Sequence, residues 1–220
     1  MTELSKGMIP PGRNVVRRFD VNRANQPEGV YQPLYDYQTY PAIGATQMTF
    51  FAVPLGQGVV PKTYADTNME SAGLLPAPKE MLVDSIQVAF FPGIQPGRTV
   101  AAGGAVDLFL NDVWTIGTSG WLEFFIGSKT YLYDAPIGKF TNDFRMSGFA
   151  ALGDLAASPA QTLSAYSAWV GKSYKITPVR LISNQNFRVT INWPALVPTP
   201  STVAGRIGVI LNGFLYRLSQ

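Results

Sequence analysis

The 220-residue chain contains neither cysteine nor histidine. The first absence removes disulfides, thiolate nucleophiles and cysteine-built zinc sites. The second removes every histidine-dependent triad and the usual general base near neutral pH. Paired carboxylates or a Ser/Lys dyad remain available, so chemistry is narrowed without being forbidden. Charge is scarce as well: Asp, Glu, Lys and Arg make up 14% of the chain, against about a quarter in an average soluble protein. So poor a surface is expected where much of it faces other protein. A Ser/Thr/Asn-coated β-sandwich is the plainer alternative. No run approaches the roughly 20 apolar residues that cross a bilayer. The opening "MTELSKGMIPPGRNVVRRF" lacks the apolar stretch of a signal peptide. The expectation is a soluble protein with no membrane span.

The charges that are present fall in blocks. Residues 1–25 carry +3, from Lys6, Arg13, Arg17, Arg18 and Arg23 against Glu3 and Asp20. Residues 26–154 carry −6, and residues 155–220 carry +6 with no acid at all. Complementary patches of this kind can set partner and register in self-assembly. They can also form a basic face for nucleic acid, or simply mix again once the chain folds. The N-terminal block is local in sequence, so Arg13, Arg17, Arg18 and Arg23 are the candidate contact residues. A neighbouring subunit or nucleic-acid phosphates would be their partner.

Residues 1–45 read as an extended arm, with Pro and Asn throughout and Tyr31, Tyr35, Tyr37 and Tyr40 in close succession. Residues 46–220 read as one β-sandwich domain. Aromatic and β-branched runs bounded by Gly and Pro predict strands near 46–54, 82–91, 105–116, 121–126, 129–133, 173–182, 186–193 and 205–218. In "NFRVTINW", Phe187, Val189, Ile191 and Trp193 alternate with polar residues, as in a half-buried antiparallel strand. Gly127-Ser128-Lys129 predicts a tight turn. One or two short helices are expected in the 134–171 connection. The stronger is begun by Ser158, Pro159 and Gln161 and carries Leu163, Tyr166, Trp169 and Val170 on one face. The weaker begins at Asn142.

Chemistry is hard to find. A glycosidase-like carboxylate pair is conceivable among Asp107, Asp112 and Glu123, with solvated strand-edge charges as the simpler role. "DAPIGKFTNDF" lacks calcium-loop spacing, and "PLGQGVVPK" lacks the ending of a phosphate loop. The tryptophans read as core. No catalytic residue, metal ligand or cofactor site is assigned. The last segment, "GRIGVILNGFLYRLSQ", has two readings: a hairpin turning at Asn212-Gly213, or one long strand with a bulge at Gly213.

The arm "PPGRNVVRRFDVNR", the pair "WLEFFIGSKTYLYD" and the closing "FRVTINWP…GRIGVILNGFLYR" resemble the jelly-roll coat proteins of non-enveloped viruses and bacteriophages. That resemblance implies an all-β fold, a single jelly-roll β-sandwich of two antiparallel sheets. In it most consecutive strands lie in opposite sheets, while the fifth and sixth are neighbours. The final segment must then be one strand. The implied function is a non-enzymatic major capsid protein that self-assembles into an icosahedral shell. It would sit in the virion after assembly in the host cytoplasm, and its partners would be itself, other virion proteins and packaged nucleic acid. A spike, tail or carbohydrate-binding β-sandwich module is the alternative.

Overall fold

The computed structural model describes residues 27–93, 108–140, 144–152, 162–170 and 173–218. The chain runs β1 (Pro27–Tyr31), β2 (Leu34–Tyr40), β3 (Gln47–Phe50), β4 (Glu80–Phe91), α1 (Leu108–Ser119), β5 (Trp121–Ile126), β6 (Lys129–Pro136) and a 3-10 turn at Ile137–Lys139. It continues with β7 (Phe144–Leu152), β8 (Thr162–Val170), β9 (Tyr174–Leu181), β10 (Phe187–Asn192) and β11 (Gly205–Leu218).

Two antiparallel sheets face each other. The first has the order β1–β11–β4–β9, with β2 also on β11; the second is β3–β10–β5–β6. Strands β1 and β2 lie in one continuous register along β11, Tyr31 opposite Phe214 and Leu34 opposite Leu211. They are one strand in effect, interrupted at Pro33, which has no N–H to donate. Every connection between successive sandwich strands then crosses to the other sheet, except the tight β5–β6 turn at Gly127, where φ is +58°. That is an all-β jelly roll, and the adjacent consecutive pair is the fourth and fifth of its eight strands, one place earlier than the resemblance implied.

Its core follows from period-two alternation. Leu122, Phe124 and Ile126 of β5 face Ile207, Val209 and Leu211 of β11 across a core that also takes Met81, Val83 and Ile86. Each fully buried side chain of this size contributes roughly 1.5–3 kcal/mol of transfer free energy.

Three sequence expectations are corrected. Residues 27–40, read as arm, are sheet strands, so the first sandwich strand lies there and not at 46–54; residues 1–26 lie outside the described residues. The stretch 105–116, read as a strand, gives way to helix α1. Its β-branched and aromatic residues suit either structure, but burial follows the helical period. Asp112 and Ile116 face inward, while Asn111, Trp114 and Thr118 face solvent. The connection 134–171 holds only the 3-10 turn as described helix; its expected helices are instead the hairpin β7–β8, Phe144 opposite Val170 through Leu152 opposite Thr162. The capping residues Ser158, Pro159 and Gln161 lie outside the described residues. Nine paired residues on each strand override the local helix signal.

The terminal segment is one strand, as the jelly-roll count required. Its register against β4 shifts between Asn212 and Gly213, but the extra residue is Asp84 on the partner: Asn212 lies opposite Ser85 and Gly213 opposite Val83. Gly213 is therefore not the bulged residue. Its role is to let β4 come close, because a Cβ there would collide with the carbonyl of Leu82 and stand 3.0 Å from the Cα of Val83.

Candidate assembly surface

The candidate contact residues Arg13, Arg17, Arg18 and Arg23 lie outside the described residues, as does Asp107. Asp112 and Glu123 engage separate partners. Asp112, on α1, is fully buried, and its Oδ1 accepts the N–H of Ser201 at 2.8 Å. Burial raises its pKa above the ordinary carboxylate value. Glu123 lies on the opposite side of β5 from the core and accepts from Asn192 Nδ2 at 2.9 Å and Thr190 Oγ1 at 3.3 Å. Among the described residues no group of three or more acidic, His or Cys side chains is placed to hold a metal ion. No helix among them is long and apolar enough to cross a membrane.

The tryptophans divide. Trp193 is buried in the core, whereas Trp114 is 71% exposed on α1 and Trp121 is half-buried on the outer face of the second sheet. The core reading therefore fails for Trp114 and Trp121; the side chain of Trp169 lies outside the described residues.

Two features were not anticipated from the sequence. One is a buried ion pair at the edge of the sandwich. Asp36, on the inward face of β2, is fully buried and paired with Lys62 from the long β3–β4 loop. Its Oδ2 also accepts the N–H of Phe51 at 2.7 Å, a residue held at φ +68°. Burial raises the pKa of Asp36, while the Lys62 ammonium and the Phe51 N–H oppose that rise. The same loop caps the open edge of β2: Tyr37 N–H donates to the carbonyl of Asp66 at 2.7 Å, and Tyr35 N–H to Asn68 Oδ1 at 3.0 Å. Arg206 stacks on Tyr37 at 4.5 Å and pairs with Asp66. An edge that would otherwise recruit another strand is covered.

The other feature is the outer face of the second sheet. Trp121, Glu123 and Phe125 alternate with core-facing neighbours, so all three point outward. Beside them on β6 stand Tyr131 and Tyr133, 44% and 67% exposed. A polar ladder crosses three strands beneath: Gln47 Nε2 donates to Asn192 Oδ1 at 2.7 Å, and Asn192 donates on to Glu123. Arg188 lies over Phe125 at 4.3 Å, and Lys129 over Tyr131 at 4.9 Å. The signal in the sequence was "KTYLYD" directly after a tight turn, an edge strand whose alternate positions are aromatic where water would favour polar groups.

No protein-family model matches the chain, and neither a curated protein nor a solved structure matches it.

Proposed function

We propose that this chain is a structural virion protein, the major coat protein of a non-enveloped virus or bacteriophage, whose copies assemble into an icosahedral shell. The observation that carries the reading is the strand order, β1/β2–β11–β4–β9 against β3–β10–β5–β6. Jelly rolls serve viral capsids, lectins and cupins. Among these, a surface with only 14% charged residues in the whole chain favours a protein that mostly faces protein. The function is non-enzymatic and needs no cofactor. Its partners are further copies of itself and other virion components, and it resides in the virion after assembly in the host cytoplasm. The segment before β1 reaches a neighbour, with Arg13, Arg17, Arg18 and Arg23 contacting a subunit and, more weakly, packaged nucleic acid.

Electron microscopy and sedimentation of the full-length protein test this reading. Closed particles of uniform size are expected. A protein that stays monomeric at every concentration and salt level, and binds a glycan array, would belong to the alternative class of surface module. Deleting residues 1–25 gives a second test: the melting transition of the sandwich is expected to persist, while particles are lost or change size.

A further inference from the structure

The outer face of the second sheet has opposite charge at its two ends. Arg188 stands at one end, opposite the outward-facing Phe125. Glu123 and Asp134 stand towards the other, Glu123 opposite Thr190 and Asp134 between the levels of Leu122 and Phe124. Arg188 and Glu123 are two steps apart along neighbouring strands, about 7 Å at roughly 3.4 Å per residue. Among the described residues neither takes part in an ion pair. Phe125 lies level with Arg188, Tyr133 beside Glu123, and Trp121 one outward step beyond Glu123.

Strand β6 is an edge, yet it is poorly suited to pairing with another strand. Its register against β5 shifts twice, Asp134 is held at φ +43°, and Pro136 ends it. Bulges, charge and proline are the devices that keep an edge from zipping to a neighbour. They also tilt side chains outward, and here the outward side chains are tyrosines. Contact through this region is therefore by the face.

We propose that this face is a two-fold contact between copies of the chain. A two-fold axis presents the same patch on both partners, so the patch must complement itself. Rotation about an axis in the plane of contact, midway between Arg188 and Glu123, places the Arg188 end of one copy over the Glu123/Asp134 end of the other. Aromatic rings flank the two charges, and Trp and Tyr are enriched in protein contacts. A cation–π contact already holds Arg188 against Phe125, so little side-chain freedom is lost on docking. The contact rests on the shell reading above and names one of the interfaces such a shell would use.

Charge reversal tests it in the full-length chain. Glu123→Lys alone sets like charges opposite each other twice across the axis, and Arg188→Glu alone does the same. Each single variant is expected to lose assembly by sedimentation and light scattering in low salt. Mixing the two variants restores opposite charges at both contacts, and so does one chain carrying both changes; both are expected to regain wild-type particles. Thermal melts establish that the singles are folded. Should Glu123→Lys fail to fold, Glu123→Gln keeps an oxygen for Asn192 and is expected to weaken assembly and flatten its salt dependence. The proposal is overturned if folded single variants assemble like wild type, or if neither the mixture nor the double variant recovers. It is also overturned if a glycan binds this face while Tyr133→Ala leaves assembly untouched. In all three outcomes wild-type particles still form, so the shell reading stands. If the wild type forms no particles, the shell reading itself fails.

Discussion

Gly213→Val is expected to destabilise the protein by at least about 3 kcal/mol, and in a domain of ordinary stability to leave much of it unfolded. The added Cβ meets the carbonyl of Leu82, with the Leu82 carbonyl carbon at 2.8 Å and the Val83 Cα at 3.0 Å. These are main-chain atoms of β4, which is hydrogen-bonded on both sides, to β11 and to β9. They cannot yield without breaking a central sheet at the level where Asp84 already interrupts the register. Gly213→Ala carries the same Cβ and is expected to fall in the same direction by less. Gly117→Ala is the control: this glycine lies inside α1 and nothing stands within 4 Å of the added Cβ. Helix propensity predicts a gain of about 0.5–1 kcal/mol there. Urea unfolding of the variants reads the contrast. Equal effects at positions 213 and 117 would refute the close β4–β11 approach.

Lys62→Met is expected to cost about 3–5 kcal/mol, because it strands the carboxylate of Asp36 in the interior. The loss has a distinctive dependence on pH. Burial already holds the Asp36 pKa above its ordinary value of 3.8, and Lys62 opposes that rise through a hydrogen bond and its charge. Without the lysine the folded-state pKa climbs further above the unfolded one. The folded protein then binds a proton that the unfolded chain releases, so stability falls as pH rises through the interval between the two values. The deficit of Lys62→Met is expected to be smallest near pH 4 and to grow towards neutrality, measured as urea midpoints across that range. A deficit independent of pH would mean that Lys62 acts by packing alone. Replacing Asp36 with Leu in the same chain is expected to recover only part of the loss. The Phe51 N–H would lose its acceptor at a residue already held at φ +68°.

Five of the eight sandwich strands were legible in the sequence nearly to the residue. In β10 the alternation of apolar and polar side chains is uninterrupted, and in β5 and β11 dense aromatic and β-branched runs bounded by glycine mark the strand. β3 and β6 were found with one end misplaced, and the strand made of β1 and β2 was missed because its signal is local and ambiguous. "VYQPLYDYQTY" contains a proline and an acid and reads as a polar arm. It becomes a strand because Pro33 falls between two stretches that pair with β11, and Asp36 is neutralised by a lysine 26 residues away. "LFLNDVWTIGTS" has strand-like composition but no partner strand, and it coils into α1. The candidate face was half legible: Glu123 was singled out, as a catalytic candidate, while Tyr131 and Tyr133 drew no reading of their own.

By itself the sequence determined the class of fold: many short alternating runs, one tight turn where a jelly roll permits it, and almost no residues suited to catalysis. It could not decide between hairpin and strand for the last sixteen residues, because Asn-Gly is a turn signal wherever it occurs. Tertiary structure decided that. Strand β11 is held on one side by β1 and β2 and on the other by β4, and turning at Gly213 would forfeit hydrogen bonds to both neighbours. The glycine is required there because the backbone of Leu82 and Val83 occupies the space of its side chain, and no local rule can report a neighbour 130 residues away.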